Sequence, residues 1–348
     1  MDAQRLNEIL EALPRVSLAV VGDFFLDKYF EIDPALSEAS LETGLETLQI
    51  VRIRCYPGAA GTVLNNLVAL GVGHLFPIGF TGVDGEGFEL RRGLTQRGVD
   101  LTDLLETGDR MTPTYTKPLI VEAGKPPREI QRLDIKNRSP LPRWLEDKII
   151  ARMERRLETC HGLIVADQVE EANCGVITDR VREAMARLGE RWPDKVLFAD
   201  SRRRIGLFRY VIVKPNRTEG ARSLGMDEDN MEPEHLVSEI ARRTGRPACI
   251  TLGSQGVLAF DGQTVCHVPG YVSEGPIDIV GAGDSLTAGM VGALGAGATF
   301  AEAALIGNLV ASITVQQIGV TGTASPDQVR KRFVEYQGRF PEICGQVR

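Results

Sequence analysis

The stretch DIVGAGDSLTAG, residues 278–289, gives the clearest structural signal in the sequence. Gly281 and Gly283 flank Ala282, and glycines let the backbone turn tightly and expose successive N–H groups. Apolar residues with helical spacing follow at once, which predicts a helix over 284–295. A glycine turn at the start of a helix binds anions, because free amides and the positive end of the helix dipole point at the ligand. The sequence therefore predicts an anion site at this turn.

Asp284 follows the turn directly, although a carboxylate repels a bound phosphate. Its position is explained if Asp284 accepts the proton of an attacking hydroxyl while the backbone amides of Gly281, Ala282, Gly283 and Asp284 stabilise a transferring phosphoryl group. The alternative is that Asp284 is only the N-cap residue of the helix. We therefore expect either a catalytic base or a simple cap here.

Outward from this turn, strands alternate with helices along the chain. Runs typical of buried strands occur at 16–21, 75–80, 163–166, 196–199, 211–213, 248–252 and 257–260. Helical patterns occur at 60–70, 144–159, 178–190, 234–244 and 284–295. Strands that alternate with crossover helices predict an α/β fold with a doubly wound, mostly parallel sheet flanked by helices.

Two segments, 30–55 and 112–133, break this alternation. They contain alternating polar and apolar residues and few helical patterns, which predicts a small β-sheet appended to the main layer. No internal repeat or Gly/Ser linker divides the sequence. We therefore predict one α/β domain over residues 1–348, with these two segments forming a β lid.

Composition narrows the classes of protein. The 348 residues are 43% apolar and 25% charged, as in a globular protein, and the net charge of -7 argues against a nucleic-acid partner. Six cysteines without a C-x-x-C pair, and four histidines, argue against a zinc cluster. No apolar run approaches the roughly 20 residues that span a bilayer, and the N-terminus lacks the apolar core of a signal peptide. We expect a cytoplasmic enzyme without a membrane partner.

Four motifs together resemble the ribokinase-like PfkB sugar kinases. The 278–289 stretch resembles their C-terminal signature, and PGAAGTVLNNLVALG at 57–71 resembles their N-terminal one. Between them, KPNRTEG at 214–220 resembles the family's N-x-x-E motif, and ITLGSQGVLAF at 250–260 resembles its T-x-G-x-x-G motif. The four stand in the family's order within residues 15–325. The resemblance implies a ribokinase-like fold, ATP and Mg²⁺ as cofactors, and Asp284 as the base.

At the nucleotide end, the resemblance assigns binding roles to Asn216, Glu219, Thr251, Gly253, Gly256 and Asn308. Glu219 would hold Mg²⁺ through water, since Mg²⁺ keeps much of its hydration shell, and a monovalent cation near Asp278 is implied as well. The alternatives are that Glu219 only caps a helix, that the G-x-x-G pattern is only a β-turn, and that Asn308 is a surface side chain.

At the acceptor end, the resemblance implies contacts from Asp23, Asp27, Gly58, Ala59, Asn66, Lys117 and Arg132. A carboxylate accepts two hydroxyl protons at once, which suits a vicinal diol. The G-D-x-x-L-D-x-Y spelling at 22–29 is similar to the family's heptose 7-phosphate kinases. Lys117 and Arg132 would then neutralise a substrate phosphate. The alternative is that their charges belong to the solvated face of a lid strand.

The acceptor end also departs from those heptose kinases. Thr62 replaces an asparagine, Asp167-Gln168 begins a segment without their lysine, and Arg202 follows Asp200 where they have D-P-K. Departures confined to one end indicate a changed acceptor, and we expect the chain to end without a fused nucleotidyltransferase domain. A nucleoside or vitamin-like acceptor is an alternative, and so is a non-catalytic sugar-binding protein.

The lid also carries a prediction about assembly. Residues 46–55 place apolar side chains on both faces of a strand, which is unfavourable for a strand open to water. A second copy of the chain is a common cover for such a surface. We predict a homodimer joined through the lid, with a monomer whose lid folds back on its own domain as the alternative.

Overall fold

The computed structural model describes residues 1–227, 231–272, 274–319 and 321–347. Its strands are β1 (Ser17–Gly22), β2 (Phe24–Ile32), β3 (Glu38–Ala39), β4 (Glu46–Thr47), β5 (Ile50–Ala59), β6 (His74–Gly82), β7 (Leu104–Thr107), β8 (Thr114–Ile120), β9 (Arg128–Glu129), β10 (Leu133–Ile135), β11 (Gly162–Asp167), β12 (Val196–Ser201), β13 (Ile212–Val213), β14 (Ala248–Thr251), β15 (Val257–Phe260) and β16 (Val265–Val268). Its α-helices are α1 (Ala3–Ala12), α2 (Ala60–Ala69), α3 (Gly85–Thr95), α4 (Arg143–Thr159), α5 (Asp179–Arg191), α6 (Arg217–Ser223), α7 (Pro233–Thr244), α8 (Ala282–Gly295), α9 (Phe300–Thr314), α10 (Pro326–Arg339) and α11 (Pro341–Gln346).

The main sheet has nine strands in the order β16-β15-β14-β13-β12-β11-β1-β6-β7. The strands from β14 to β7 run parallel, and β15 and β16 form an antiparallel edge. Successive side chains of a strand point to opposite faces, so Val20 packs in the core beside α2, α8 and α9, while Val21 packs in the core beside α4, α5 and α7. Helices on both faces of a mostly parallel sheet confirm the predicted fold class.

The lid is a second sheet with strand order β10-β8-β2-β5, to which β9 adds beside β8. The predicted limits of 30–55 and 112–133 were too narrow, because β2 begins at Phe24 and β10 ends at Ile135. The chain passes from β1 into β2 through Asp23 alone, so no turn signal marks the boundary. The predicted strand at 46–55 is divided: β4 pairs with β3 in a hairpin, and β5 pairs with β2.

This arrangement places the lid over the carboxyl ends of the central strands. Asp23 joins β1 to the lid, and β5 leads directly into α2. In open α/β sheets, ligands bind at the carboxyl ends of the strands. The cleft under the lid is therefore where the site is expected. Of the helices in the described ranges, none has the length and apolarity needed to cross a membrane.

Candidate active site

The glycine turn leads directly into α8, which begins at Ala282, two residues before the predicted start. Gly281 has φ +78°, a backbone conformation that favours glycine. A Cβ at this position would lie 3.0 Å from Thr321 Cγ2 and 3.4 Å from Thr62 Cγ2, so the turn is also tightly enclosed. The first N–H groups of a helix have no acceptor within that helix. The Ala282 amide donates to the Ile279 carbonyl at 3.1 Å, so its predicted part in the anion site is corrected. Within the described ranges, the amides of Gly283 and Asp284 remain free to bind an anion.

Asp284 lies in the first turn of α8 and lines the cleft. Burial raises its pKa to about 7, and the Asp200 carboxylate adds to that rise. Lys214 and Arg202 oppose the rise, and Asp27 of the lid contributes to it. A carboxyl group with a pKa near neutrality is suited to take and release a proton. Its side chain donates or accepts no capping hydrogen bond at the helix start, so the N-cap alternative has no support in the geometry.

The predicted nucleotide residues line one cleft of about 550 Å³ together with the glycine turn. They are Asn216, Glu219, Thr251, Gly253, Gly256 and Asn308. The exposed apolar side chains of Val272, Ile277 and Ile279 line the same cleft, which provides an apolar wall beside the polar groups. A mostly apolar cleft with a few fixed polar groups is typical of a small-molecule site.

Asn216 and Glu219 form a capping box at the start of α6. The Glu219 amide donates to Asn216 Oδ1 at 2.8 Å, and the Asn216 amide donates to Glu219 Oε2 at 2.9 Å. The capping alternative is therefore real, but it uses only Asn216 Oδ1 and Glu219 Oε2. Asn216 Nδ2 and Glu219 Oε1 take no part in it, and both residues line the cleft. Burial raises the pKa of Glu219, and the nearby Asp200 carboxylate contributes.

This donor set fits a hydrated magnesium ion better than a protein cage. Asp200 and Glu219 both line the cleft, and carboxylate oxygens are suitable ligands for Mg²⁺. Within the described ranges, no three His, Cys, Asp or Glu residues are grouped closely enough to hold a metal. An ion there would depend on water and on nucleotide phosphates for its remaining ligands.

Two further nucleotide residues have roles that the sequence did not define. Asn308 is only 6% exposed and donates to the Pro269 carbonyl at 2.8 Å, so the alternative of a surface asparagine is wrong, and its nucleotide role stays a prediction. Gly256 has φ +97°, and a Cβ there would lie 2.0 Å from the Val268 carbonyl oxygen. Glycine is required at that position for the approach of β15 to β16, whereas Gly253 faces open space.

Asp23 does not present its carboxylate to an acceptor. It is 2% exposed, and its oxygens accept from the amides of Gln168, Val169 and Val176 at 2.8, 2.9 and 2.7 Å. Burial raises its pKa to about 6, and the Asp167 charge adds to this, although the three amides oppose it. The predicted acceptor contact is corrected: Asp23 fixes the loop after β11, because the side chain is buried and both of its oxygens accept from amides of that loop.

Asp27 is the carboxylate that remains available under the lid. In the described part of the chain it has neither a hydrogen bond nor an ion pair, and it lies near enough to Asp284 to affect that group's pKa. Burial raises the pKa of Asp27, and Lys117 and Arg132 oppose the rise. A Cβ at Gly58 would lie 2.4 Å from Asp27 Oδ2, so glycine leaves the space that this carboxylate occupies.

The remaining predicted acceptor residues divide into two groups. Lys117 lies 5.1 Å from the Tyr29 ring and 3.4 Å from its hydroxyl, on the lid face that also carries Asp27. Arg132 pairs with Asp134 at 2.7 Å, so its charge is largely neutralised within the lid. Asn66 is fully buried and donates to the Thr62 carbonyl of its own helix, so the predicted acceptor contact is wrong. It lies on the core face of α2.

Ala59, the last predicted acceptor residue, has an unusual backbone. It immediately precedes α2 and has φ 53° and ψ -117°, which L residues rarely adopt. Its pairing with Phe24 and the bond from the Ala60 amide to the Asp23 carbonyl hold it there. Ala59 therefore shapes the entry to α2.

The sequence interpretation missed an ion pair at the cleft. Lys214 Nζ lies 2.7 Å from Asp200 Oδ2, and both side chains line the cleft beside Asp284. Asp200 lies in β12, and Lys214 directly follows β13, the next strand in the sheet. Charged residues at the carboxyl ends of neighbouring predicted strands were the signal that could have found them.

Comparison with known proteins identifies the family of this chain. A model described as pfkB family carbohydrate kinase matches residues 29–328. The chain belongs to this family. The pfkB family members are phosphotransferases that act on an alcohol group, so the predicted family and enzyme class are confirmed together.

This chain is similar in sequence to longer curated proteins, and it is similar in fold to several solved structures. It is 29% identical over 334 residues to the bifunctional protein HldE of Geotalea uraniireducens, covering 94% of this chain and 65% of that protein. The chain thus spans 65% of the length of this relative. Among solved structures, phosphofructokinase-2 of Escherichia coli in complex with potassium aligns with a TM-score of 0.69 at 18% identity, covering 92% of this chain and 99% of that one. Arabidopsis thaliana ribokinase complexed with ribose and ATP aligns with a TM-score of 0.65 at 19% identity, covering 91% and 98%.

Proposed function

We propose that this protein transfers the γ-phosphoryl group of ATP to a hydroxyl of a sugar or sugar phosphate, with Asp284 as the general base. The observation that carries the proposal is the position of the Asp284 carboxylate. It stands at the start of α8 beside free helix amides, in the nucleotide cleft, and close to Asp27 of the lid. A binding protein has no need of a base with a raised pKa at this point.

The proposed reaction follows from the two sides of the cleft. Asp27 accepts hydrogen bonds from acceptor hydroxyls and orients one of them towards the phosphoryl group. Asp284 takes the proton of that hydroxyl as the new bond to phosphorus forms. The amides of Gly283 and Asp284 stabilise the charge on the transferring group, which is where positioning and electrostatics matter most in phosphoryl transfer.

Glu219 is the proposed site of Mg²⁺, held through water. When bound with ATP, the ion would neutralise phosphate charge. Glu219→Gln should raise the Mg²⁺ concentration that gives half-maximal turnover, because a carboxylate is lost while the bond to the Asn216 amide is kept. Glu154→Gln on the exposed side of α4 is the matched control. An unchanged metal titration would remove Glu219 from the site.

A monovalent cation beside Asp278 is part of the same proposal. The Asp278 carboxylate accepts from the Val280 amide at 3.0 Å and from the Gly319 amide at 3.3 Å, and it thereby joins two loops at the rim of the glycine turn. Turnover measured in potassium and in tetramethylammonium buffers would test this. Equal rates in both buffers would argue against the cation.

Two classes of acceptor fit the side chains of the lid face. Lys117 beside Asp27 favours a sugar that carries a negative group. Tyr29, Tyr56 and Tyr115 lie on the same lid face and favour a nucleoside or vitamin-like ring as the second candidate. ADP release measured across sugars, sugar phosphates and nucleosides distinguishes the two. Absence of acceptor-dependent ADP release across the panel would contradict the kinase proposal and favour the binding protein.

The lid is also the proposed dimer interface. Ile50, Val51 and Ile53 are 44%, 50% and 56% exposed, and Leu41 and Leu45 at the β3–β4 hairpin are exposed as well. An apolar surface of this kind is suited to cover by a second copy of the chain. The cytoplasmic location and the absence of nucleic-acid and membrane partners stay predictions from the sequence.

A further inference from the structure

The ion pair between Lys214 and Asp200 lies directly behind the glycine turn. Lys214 Nζ is 2.7 Å from Asp200 Oδ2, and the Lys214 side chain is only 4% exposed. A Cβ built on Gly283 would lie 3.5 Å from Lys214 Nζ and 3.9 Å from Asp200 Oδ2. Gly283 thus separates the pair from the anion site by the width of one backbone segment. A positive charge at this distance acts directly on the anion site.

The Lys214 ammonium group has N–H donors that its ion pair with Asp200 does not use. An ammonium group carries three N–H donors, and Asp200 is the one partner of Lys214 Nζ in the described ranges. Burial lowers the pKa of Lys214, but the Asp200 charge and its hydrogen bond outweigh this and raise the pKa on balance. The group therefore stays charged at neutral pH. Lys214 and Asp284 line the same cleft, so an anion bound there is within the surroundings of the ammonium group.

Stability alone does not explain the pair. Burying two charges is costly, and apolar residues of similar size often stabilise a protein as well or better. The strands that carry the pair are already joined through Phe198↔Ile212 and Ala199↔Val213, and the Lys214 amide donates to the Ala199 carbonyl at 3.1 Å. The side-chain pair is therefore not required to align the strands. Its position beside the anion site at the glycine turn indicates a role at that site.

We propose that Lys214 is a further catalytic residue that contacts the transferring phosphoryl group, and that Asp200 is the positioning residue that holds it there. This inference rests on the proposed kinase function. Lys214 adds a full positive charge to the helix amides at the point where negative charge collects during transfer. Arg202 is exposed at the same cleft, whereas Lys214 is buried and fixed by its partner, so Lys214 is preorganised and Arg202 is not.

Nucleotide binding provides a test that needs no acceptor. Calorimetry would compare the affinity for AMP-PNP, which carries a γ-phosphoryl group, with the affinity for ADP. In Lys214→Met, AMP-PNP affinity should fall at least about tenfold while ADP affinity stays unchanged, because a charged hydrogen bond is lost only at the γ position. The control is Lys195→Met, which removes a lysine bonded to the Cys160 carbonyl at the amino end of β12. An equal loss for both nucleotides would overturn the inference.

Turnover separates a catalytic lysine from a structural one. Lys214→Met should lower kcat by about 10²–10³, the loss seen when one preorganised donor is removed. It also leaves Asp200, whose side chain is 17% exposed, without its ion-pair partner. The double variant Lys214→Met/Asp200→Asn removes both charges and relieves this penalty. The double variant should stay as slow as Lys214→Met. Recovery of turnover in the double variant would show that the pair is only structural.

The pH profile provides an independent readout for each partner. The charged groups that face Asp284 are Asp200, Lys214, Arg202 and Asp27. Asp200→Asn removes a negative charge and should shift the acidic limb of kcat/KM to lower pH, whereas Lys214→Met should shift it to higher pH. Shifts in the same direction would contradict the assignment.

Asp284→Asn separates the proposal for Lys214 from the proposed kinase function. The variant should abolish turnover but keep the preference of the wild type for AMP-PNP over ADP. Loss of that preference would assign γ-phosphoryl binding to Asp284 instead of Lys214.

Discussion

The nucleotide cleft and the lid differ in how completely their polar groups are paired. At the cleft, Asn216 and Glu219 satisfy each other's backbone, Asn308 is bonded to Pro269, and Lys214 is paired with Asp200. At the lid, Asp27 has no partner in the described structure, and β5 exposes apolar side chains. The polar groups of the proposed transfer site are thus paired within one chain. The unpaired Asp27 and the exposed apolar strand are the features on which the proposed acceptor site and the proposed dimer rest.

A strained backbone conformation also occurs on the lid side of this comparison. Ala59, at the end of the lid strand β5, has φ 53° and ψ -117°, a conformation that costs about 1–3 kcal/mol in a residue other than glycine. Thr62, which replaces an amide of the heptose kinases, lies in the next turn with its methyl group against the glycine turn. Thr62 and Arg202 thus place two departures from the family pattern beside the glycine turn and in the nucleotide cleft. The change of acceptor stays a prediction from the sequence.

The largest expected effect concerns Asp284 in the nucleotide cleft. Asp284→Asn keeps the shape of the side chain but cannot accept a proton, so kcat should fall by about 10²–10⁴ with ATP affinity little changed. Acceptor-dependent ADP release and ATP calorimetry measure the two quantities. A variant that keeps more than about a tenth of wild-type kcat would remove Asp284 from the role of base.

A smaller effect distinguishes the two carboxylates that flank the start of the lid. Asp27→Asn should weaken acceptor kcat/KM by about 10–100-fold without any loss of thermal stability, because hydrogen bonds from acceptor hydroxyls to a charge are lost. Asp23→Asn places an NH₂ group against backbone amides and should cost about 1–3 kcal/mol of stability.

The two variants are matched in chemistry and lie four positions apart, so each is the control for the other. Kinetics with the best acceptor and thermal unfolding measure both. If Asp23→Asn instead lowered acceptor affinity at unchanged stability, the assignment of Asp23 to the loop after β11 would be wrong.

The exposed apolar surface of the lid predicts that the protein is a dimer in solution. Light scattering at micromolar concentration should give twice the 38.0 kDa mass of the chain, and Ile50→Asp should return it to the single mass, since a carboxylate buried in an interface is costly. The variant should also lose more affinity for acceptor than for ATP.

Val334→Asp on α10 is the control, because Val334 is equally apolar and 65% exposed but lies outside the lid. A wild-type mass of 38.0 kDa would contradict the dimer. Equal losses for the two ligands would mean that the lid does not cover the acceptor.

Local sequence patterns predict some features of the two regions and cannot predict others, because some depend on contacts between distant residues. The glycine turn, the capping pair and the alternating strands and helices are local patterns, and local geometry determines them. The environment of Asp23 depends on amides 145 or more positions away, and that of Lys214 on its neighbour in the adjacent strand, so no local pattern reveals them. The lid limits were missed because only Asp23 separates β1 from β2.

The smallest expected effect is a stability change at Asp284. Burial raises its pKa from 3.8 to about 7, so the folded protein binds this proton more tightly than the unfolded chain does. The stability contributed by the neutral carboxyl is complete below pH 3.8 and is lost as the pH rises through about 7, where the buried group becomes charged. Asp284→Asn cannot become charged. It should therefore melt about 2 °C or more above the wild type at pH 8, with the difference shrinking towards pH 5. Asp109→Asn, at an exposed aspartate, should show no such trend. A difference that is constant with pH would mean that the cleft does not desolvate Asp284, and the acidic limb of kcat/KM would then have to arise from another group.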